Sequence, residues 1–229
     1  MPKLLALDTA TDACSVALST DTGVVEDFRV IPRQHTQQLL PMIKDMMAAH
    51  HTTFADLDGI AVGRGPGSFA GIRIAMGTAQ GLAFASGLPV VPVSTLKAMA
   101  LRAHKMTGAA HLVTALDARM NEIYYGCYQA DGNTLVEVQA ERVAPPTDLE
   151  LPKEEVVYTA GGTGWVYHTV MPVSEMARIT VLDEQVYPRA ADILELGLLE
   201  FNEGRSVAPE EAQPVYLRDE VAWKKKDQQ

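Results

Sequence analysis

The feature that most constrains this 229-residue chain is an order of strand and helix signals that runs through its first half and repeats in its second. Leu4–Thr9 is a compact apolar run fit for a central strand. Cys14, Val16 and Leu18 then alternate with Ser15, Ala17 and Ser19, the two-residue period of a strand, and Thr11-Asp12 suits the hairpin between them. Gly23 opens a third strand, Val24–Ile31, whose Glu26, Asp27 and Arg29 suit a sheet edge. Pro32 ends it. A helix follows from about His35 to His50, with Pro41 pulling its expected start toward Leu39. Strands at Ile60–Gly63 and Pro89–Val93 alternate with helices over Ser68–Ser86 and from Ser94 to the region of Gly108, where His104 and Lys105 complement the helix dipole.

The second half reads the same way. His111–Leu116, Glu122–Gln129 and Leu135–Val143 are strands, and Pro145-Pro146 leads into a short helical turn. Then come a strand at Val156–Ala160, a helix near Trp165–Val170, a strand at Ile179–Leu182 and a helix over Ala190–Asn202 closed by Gly204. A duplicated βββαβαβα unit with a reduced second copy points to an α/β fold of the two-lobe actin-like ATPase (ASKHA) architecture. The expected lobes are residues 1–108 and 109–229, with the C-terminal segment docking back on the first.

Composition limits the function classes. No run approaches the ~18 apolar residues of a membrane span, and the start is too short in apolar residues for a secretory signal. Cys14 and Cys127 have no metal-site or CxxC spacing and read as buried thiols of a cytoplasmic protein. The formal net charge of −10 disfavours direct nucleic-acid binding, since that affinity comes from cations neutralising phosphates. The single basic run, Lys224-Lys225-Lys226 beside Trp223, reads as a solvated tail or a phosphate contact.

The segment Gly63-Arg64-Gly65-Pro66-Gly67-Ser68 joins a strand to a helix. Gly65 and Gly67 permit special backbone angles, Pro66 fixes one φ and Ser68 can cap the helix. Two roles fit it: a tight capped turn, or an anion cradle at a helix start. It lacks the third glycine of GxGxxG, the Lys of a phosphate loop and the flanking glycines of a nucleophile elbow. Asp8-Thr9 ends the first strand where an actin-like ATPase would handle phosphate and metal, yet the following turn has no glycine; a local turn role fits equally. Gly161-Gly162 in the Gly161–Gly164 run stand where such a fold faces adenine, or simply connect strand to helix. Asp117, Arg119 and Glu122 form a charged cluster, as a structural ion pair or a rim contact.

Two helices carry the expected partner surface. Leu39, Ile43, Met46 and Met47 line one, and Gly71, Ala75, Ala79 and Ala83 recur every four residues along the other, a stripe without bulk that lets a helix approach closely.

Together LALDTAT (Leu5–Thr11), HTQQLLPMI (His35–Ile43), GRGPGSFAGIRI (Gly63–Ile74), GTAQGLA (Gly77–Ala83), LDARMNEIYYGCY (Leu116–Tyr128) and PVYLR (Pro214–Arg218) resemble the TsaB (YeaZ) family over essentially the whole chain. The resemblance implies the two-lobe fold. It also implies a non-catalytic scaffold that supports the transferase TsaD, with the ATPase TsaE, in forming N6-threonylcarbamoyladenosine at position 37 of tRNAs reading codons that start with A. TsaD would bind directly, a homodimer would form in its absence, and tRNA contact would be indirect. TsaD carries an HxxxH metal pair after the strand equivalent to Pro89–Val93. Here Ser94–Ala100 contains no histidine, so the resemblance implies no metal, no cofactor and no catalytic residue. An independent actin-like ATPase or kinase built on Asp8, Thr9, Gly65, Gly67, Ser68, Gly161 and Gly162 is the alternative.

Overall fold

A computed structural model describes residues 2–132, 134–152 and 155–218. The first half builds β1 (Leu4–Asp8), β2 (Ala13–Thr20), β3 (Gly23–Val30), α1 (His35–Ala49), β4 (Gly59–Gly63), α2 (Phe69–Ser86), β5 (Val90–Val93) and α3 (Thr95–Thr107). Its sheet runs β3-β2-β1-β4-β5, antiparallel through the two hairpins and parallel from β1 to β5. The second half builds β6 (His111–Arg119), β7 (Glu122–Asp131), β8 (Thr134–Ala144), β9 (Tyr158–Gly161), α4 (Val173–Met176), β10 (Ile179–Val181) and α5 (Ala190–Asn202). Its sheet order, β10-β9-β6-β7-β8, is the first order read from the other edge. The repeat is topological, and the second copy is reduced. A 3-10 turn at Pro146–Asp148 stands in the place of α1, and a 3-10 segment at Thr163–Val170 in the place of α2.

Local chemistry accounts for the element ends. Ser68 Oγ accepts from the Gly71 amide at 3.3 Å to start α2, and Gly87 stops it at φ +67°. Ser94 Oγ accepts from the Lys97 amide at 3.0 Å to start α3, and Gly108 stops it at φ +72°. Central β1 is buried throughout, whereas edge β3 keeps its charged residues partly exposed. Two expectations need correction. The first helix begins at His35 and carries Pro41 inside it; Pro41 stands on the solvent side, where the missing N–H and the ring disturb no packing. The segment around Trp165 winds as a 3-10 helix over Thr163–Val170 and ends on an i→i+3 bond from the Met171 amide to the His168 carbonyl.

The two sheets, one in each lobe of the actin-like fold, share a helical layer, because each half lends its last helix to the other. α5 lies on the β1–β5 sheet and α3 on the β6–β9 strands, with α3 and α5 touching. Lys105 of α3 pairs with Asp192 and Glu195 of α5, each at 2.7 Å. The Ala190 amide at the start of α5 donates to Ser15 Oγ of β2 at 2.8 Å, and Arg189 pairs with Glu26 of β3 at 2.6 Å. Leu4, Ala61, Val93, Leu96, Met99, Leu112, Tyr128, Ile193 and Leu194 therefore share one core between the sheets. Burying each of the larger aliphatic side chains contributes about 1.5–3 kcal/mol. A division at residue 108 follows the sheets, while the packing crosses it. Separate cores fill the outer faces, under α1 and α2 on one side and under the Thr163–Val170 segment on the other.

Cys14 and Cys127 are free and buried, and burial pushes each thiol up to about 12. No helix among the described residues is long and apolar enough to cross a membrane. Trp223 and Lys224–Lys226 lie outside the described residues.

Candidate functional site

The turn between β4 and α2 is closed by the chain itself. The Ser68 amide, first of the unpaired donors at the start of α2, gives its hydrogen bond to the Ala10 carbonyl at 2.7 Å. A methyl group on Gly67 would lie 2.5 Å from that same oxygen, and one on Gly71 would lie 2.0 Å from the Thr9 carbonyl oxygen. Thr9 Oγ1 returns a hydrogen bond to the Gly71 carbonyl at 2.7 Å. Gly65, at φ +95°, turns its carbonyl to the Thr95 amide at 3.0 Å. The glycines admit the β1–β2 turn, and the Ser68 amide, one of the donors an anion cradle would use, already holds a backbone carbonyl.

Asp8 sits under this turn, 1 % exposed. Its Oδ1 accepts from the Ala10 amide at 2.9 Å, and Oδ2 faces Thr95 Oγ1 at 3.5 Å. A methyl group on Gly63 would meet Oδ2 at 1.9 Å, so glycine is required opposite the carboxylate. Burial without a cation raises the Asp8 carboxyl from 3.8 to about 7, against the lowering pull of the Ala10 and Thr95 hydrogen bonds.

The second glycine-rich turn is closed in the same manner. A methyl group on Gly162, at φ +114°, would lie 2.2 Å from the Ala115 carbonyl oxygen and 2.6 Å from Met99 Cε. On Gly164 it would lie 2.7 Å from Ala115 Cβ, and on Gly161 2.7 Å from Val186. Thr163 Oγ1 accepts from the Asp117 amide at 3.0 Å, and Trp165 Nε1 donates to the Gly161 carbonyl at 3.1 Å. The structure brings Asp8, Thr9, Gly65, Gly67 and Ser68 together, and α3 joins them to Gly162 through Thr95 and, one turn on, Met99.

Between the sheets lies a polar cluster that the sequence did not single out. Tyr128 OH donates to Glu141 Oε1 at 2.7 Å, and Ser94 Oγ bonds the same oxygen, tying α3's cap to β8. Burial, then the Glu141 charge, hold the Tyr128 hydroxyl well above its ordinary value. Burial and Glu141 also raise Glu137, against the pull of Arg64 and Lys97. These residues sit on three separate elements, far apart in sequence, so no local pattern marks them as neighbours.

The expected partner surface requires correction. Leu39, Ile43, Met46, Met47, Gly71, Ala75, Ala79 and Ala83 are all buried, packed with Leu5, Leu7, Val16, Ile60 and Val62 of their own sheet. The small stripe lets α2 settle closely on this sheet. The outward face of α2 is instead Phe69, Ala70, Arg73, Gly77, Gly81 and Phe84. Phe69 is 55 % and Phe84 78 % exposed, and methyl groups on Gly77 or Gly81 would meet nothing within 4 Å. On α1 the exposed apolar residue is Leu40, 53 % accessible.

Asp117, Arg119 and Glu122 meet at the β6–β7 turn, where Arg119 stands opposite Glu122 in the ladder and the structural ion-pair reading holds for Asp117 and Arg119. Arg119 pairs with Asp117 at 3.0 Å, and Glu122 with Arg218 of the C-terminal segment. Among the described residues no three His, Cys, Asp or Glu groups gather as metal ligands. His35, His104 and His168 each bond a backbone carbonyl.

A family model described as TsaD, tRNA N6-adenosine threonylcarbamoyltransferase, matches residues 21–226. A tRNA threonylcarbamoyladenosine biosynthesis protein TsaB of Escherichia coli is 43 % identical over 97 % of both chains. The chain belongs to the TsaB family. A TsaB of Haemophilus influenzae is 36 % identical over 97 % of this chain and 96 % of that one. The solved structure of YeaZ from Pseudomonas aeruginosa superposes with a TM-score of 0.90 at 43 % identity, over 95 % of this chain and all of that one. A crystal structure with the same TM-score and identity is described as an uncharacterized protein similar to peptidase YeaZ. Of the segments that carry the TsaB resemblance, Pro214–Arg218 touches both Gly63–Ile74 and Leu116–Tyr128 in the fold.

Proposed function

We propose that this chain serves N6-threonylcarbamoyladenosine formation in tRNA as a cytoplasmic partner subunit of a TsaD-type transferase, contributing a surface and no reacting group. The observation that carries the reading is the close packing of both glycine-rich turns on the chain's own backbone: the Ala10 carbonyl takes the Ser68 amide, and the carbonyls of Thr9 and Ala115 fill the space beside Gly71 and Gly162. The names of its relatives supply the pathway.

The outward face of α2 supports the partner role. Glycine inside a helix costs about 1 kcal/mol relative to alanine, and neither Gly77 nor Gly81 returns this through packing within the chain. Flanked by exposed Phe69 and Phe84, they form a shallow track into which a helix of TsaD, or of a second copy, packs closely. The assembly also takes in TsaE, and with a net charge of −10 this subunit leaves tRNA contact to the others.

The test is co-purification with TsaD. Gly81→Arg fills the track from the solvent side, so it should stay folded and lose TsaD by at least a hundredfold in affinity. Undiminished binding by a folded Gly81→Arg protein would place the interface elsewhere, and no binding by the unaltered chain would remove the partner reading.

A further inference from the structure

We propose that Pro214–Arg218 is a strap that latches the two sheets together, and that Arg218 is its catch, a positioning residue for the β6–β7 turn. The chain after α5 first runs along the first half. Val207 and Val90 exchange backbone hydrogen bonds at 2.8 and 2.9 Å, and the Ala212 carbonyl accepts from Gln80 of α2 at 2.8 Å. The Val215 amide then donates to the Arg64 carbonyl at 2.9 Å, on the turn that closes over Asp8. Tyr216 OH accepts from Arg73 Nε at 2.8 Å, and its ring lies 5.8 Å from that of Phe69, with the Arg73 guanidinium 3.8 Å over Phe69. Two residues later the chain has crossed to the second half. Arg218 Nη2 donates to the Ala118 carbonyl at 3.1 Å and pairs with Glu122, while Nη1 lies 3.8 Å from Met120 Sδ.

What Arg218 grips is an unusual piece of backbone. Arg119, Met120 and Asn121 stand consecutively at φ 63°, 54° and 59°, in the left-handed region that side chains with a Cβ disfavour and that asparagine alone among the three tolerates well. Ala118 and Glu122 are the residues on either side of that turn. One guanidinium therefore staples both its ends and ties them, through five residues of strap, to α2 and the Gly63–Ser68 turn. This tie is separate from the α3–α5 layer. Sheets joined through one shared layer can hinge about it, and a second attachment removes that freedom.

Hydrogen exchange and spin-label distances on the full chain test the latch. Labels at Asp21→Cys and Asp131→Cys, exposed on different sheets, report the spacing between them. Arg218→Met should speed exchange at least tenfold in both 64–73 and 117–123 and broaden the distance distribution. Tyr216→Phe, which loses one hydrogen bond and keeps the ring, should do both to a smaller extent and serves alone if Arg218→Met does not fold. Faster exchange confined to 214–218, or to the β6–β7 turn with the distance distribution unchanged, would overturn the latch.

Discussion

The two glycine-rich turns occupy matching places in the two halves, yet only one covers an ionisable group. β1 pairs with β4 up to Leu7 and Val62, and the next residues are Asp8 and Gly63. β6 pairs with β9 up to Thr114 and Gly161, and the next residues are Ala115 and Gly162. In both halves a glycine is required because a neighbouring oxygen occupies the space of a side chain: Asp8 Oδ2 at 1.9 Å in one, the Ala115 carbonyl at 2.2 Å in the other. The glycines thus serve close packing of the chain on itself. The carboxylate is what the first half adds, and its cost shows in a titration moved to about 7.

The largest expected effects break both turns alike. Gly71→Ala and Gly162→Ala each force a methyl group into a backbone carbonyl, at 2.0 and 2.2 Å, and Gly162 is also at φ +114°. Each should cost more than about 4 kcal/mol, the exceptional class of single substitutions, read as loss of cooperative unfolding in urea. A mild effect at Gly162 beside a severe one at Gly71 would mean that only the first turn is rigidly closed.

The next effect separates the turns. Asp8 titrates at about 7 when folded and near 3.8 when unfolded, so between these values the unfolded chain has released a proton that the folded chain keeps. Its contribution to stability is fully present below pH 3.8 and is lost as pH rises to about 7. The limiting slope is about 1.4 kcal/mol per pH unit. Asp8→Asn should remove that slope, so its advantage over the unaltered chain in urea unfolding grows from pH 4 to pH 7 and then levels. Parallel stability curves would show that Asp8 is ionised in the fold.

The smallest effect lies outside both turns. Gly77→Ala places a methyl group in open space on α2 and should stabilise the isolated chain by about 0.5–1 kcal/mol. Destabilisation there would mean that the outward face of α2 already packs on something in solution.

How much of this was legible depends on which physics each feature needs. β1, the capped start of α2 at Ser68 and its stop at Gly87 follow from local patterning, and the duplicated sheet order follows from the succession of elements. The direction of the Gly71, Ala75, Ala79 and Ala83 stripe does not. Periodicity marks a face as free of bulk, and both a subunit contact and a close seat on the chain's own sheet need that. Leu40, Phe69 and Phe84, the exposed large apolar residues of the two helices, fall outside both stripes. The exchange of α3 and α5 between halves was equally hidden, since an apolar helix face does not name the sheet it covers. Glu141, Ser94 and Tyr128 meet only because that exchange brings β8 against the start of α3.

On the proposed reading the chain works through its outer surface and not through the buried Asp8 turn. The most direct measurement is threonylcarbamoyl transfer to tRNA in a reconstituted reaction containing TsaD, TsaE and this subunit, each variant first shown to be folded. Asp8→Asn should support transfer as well as the unaltered chain, while Gly81→Arg should support none. Loss of transfer by Asp8→Asn with TsaD binding intact, beside full activity of Gly81→Arg, would contradict it.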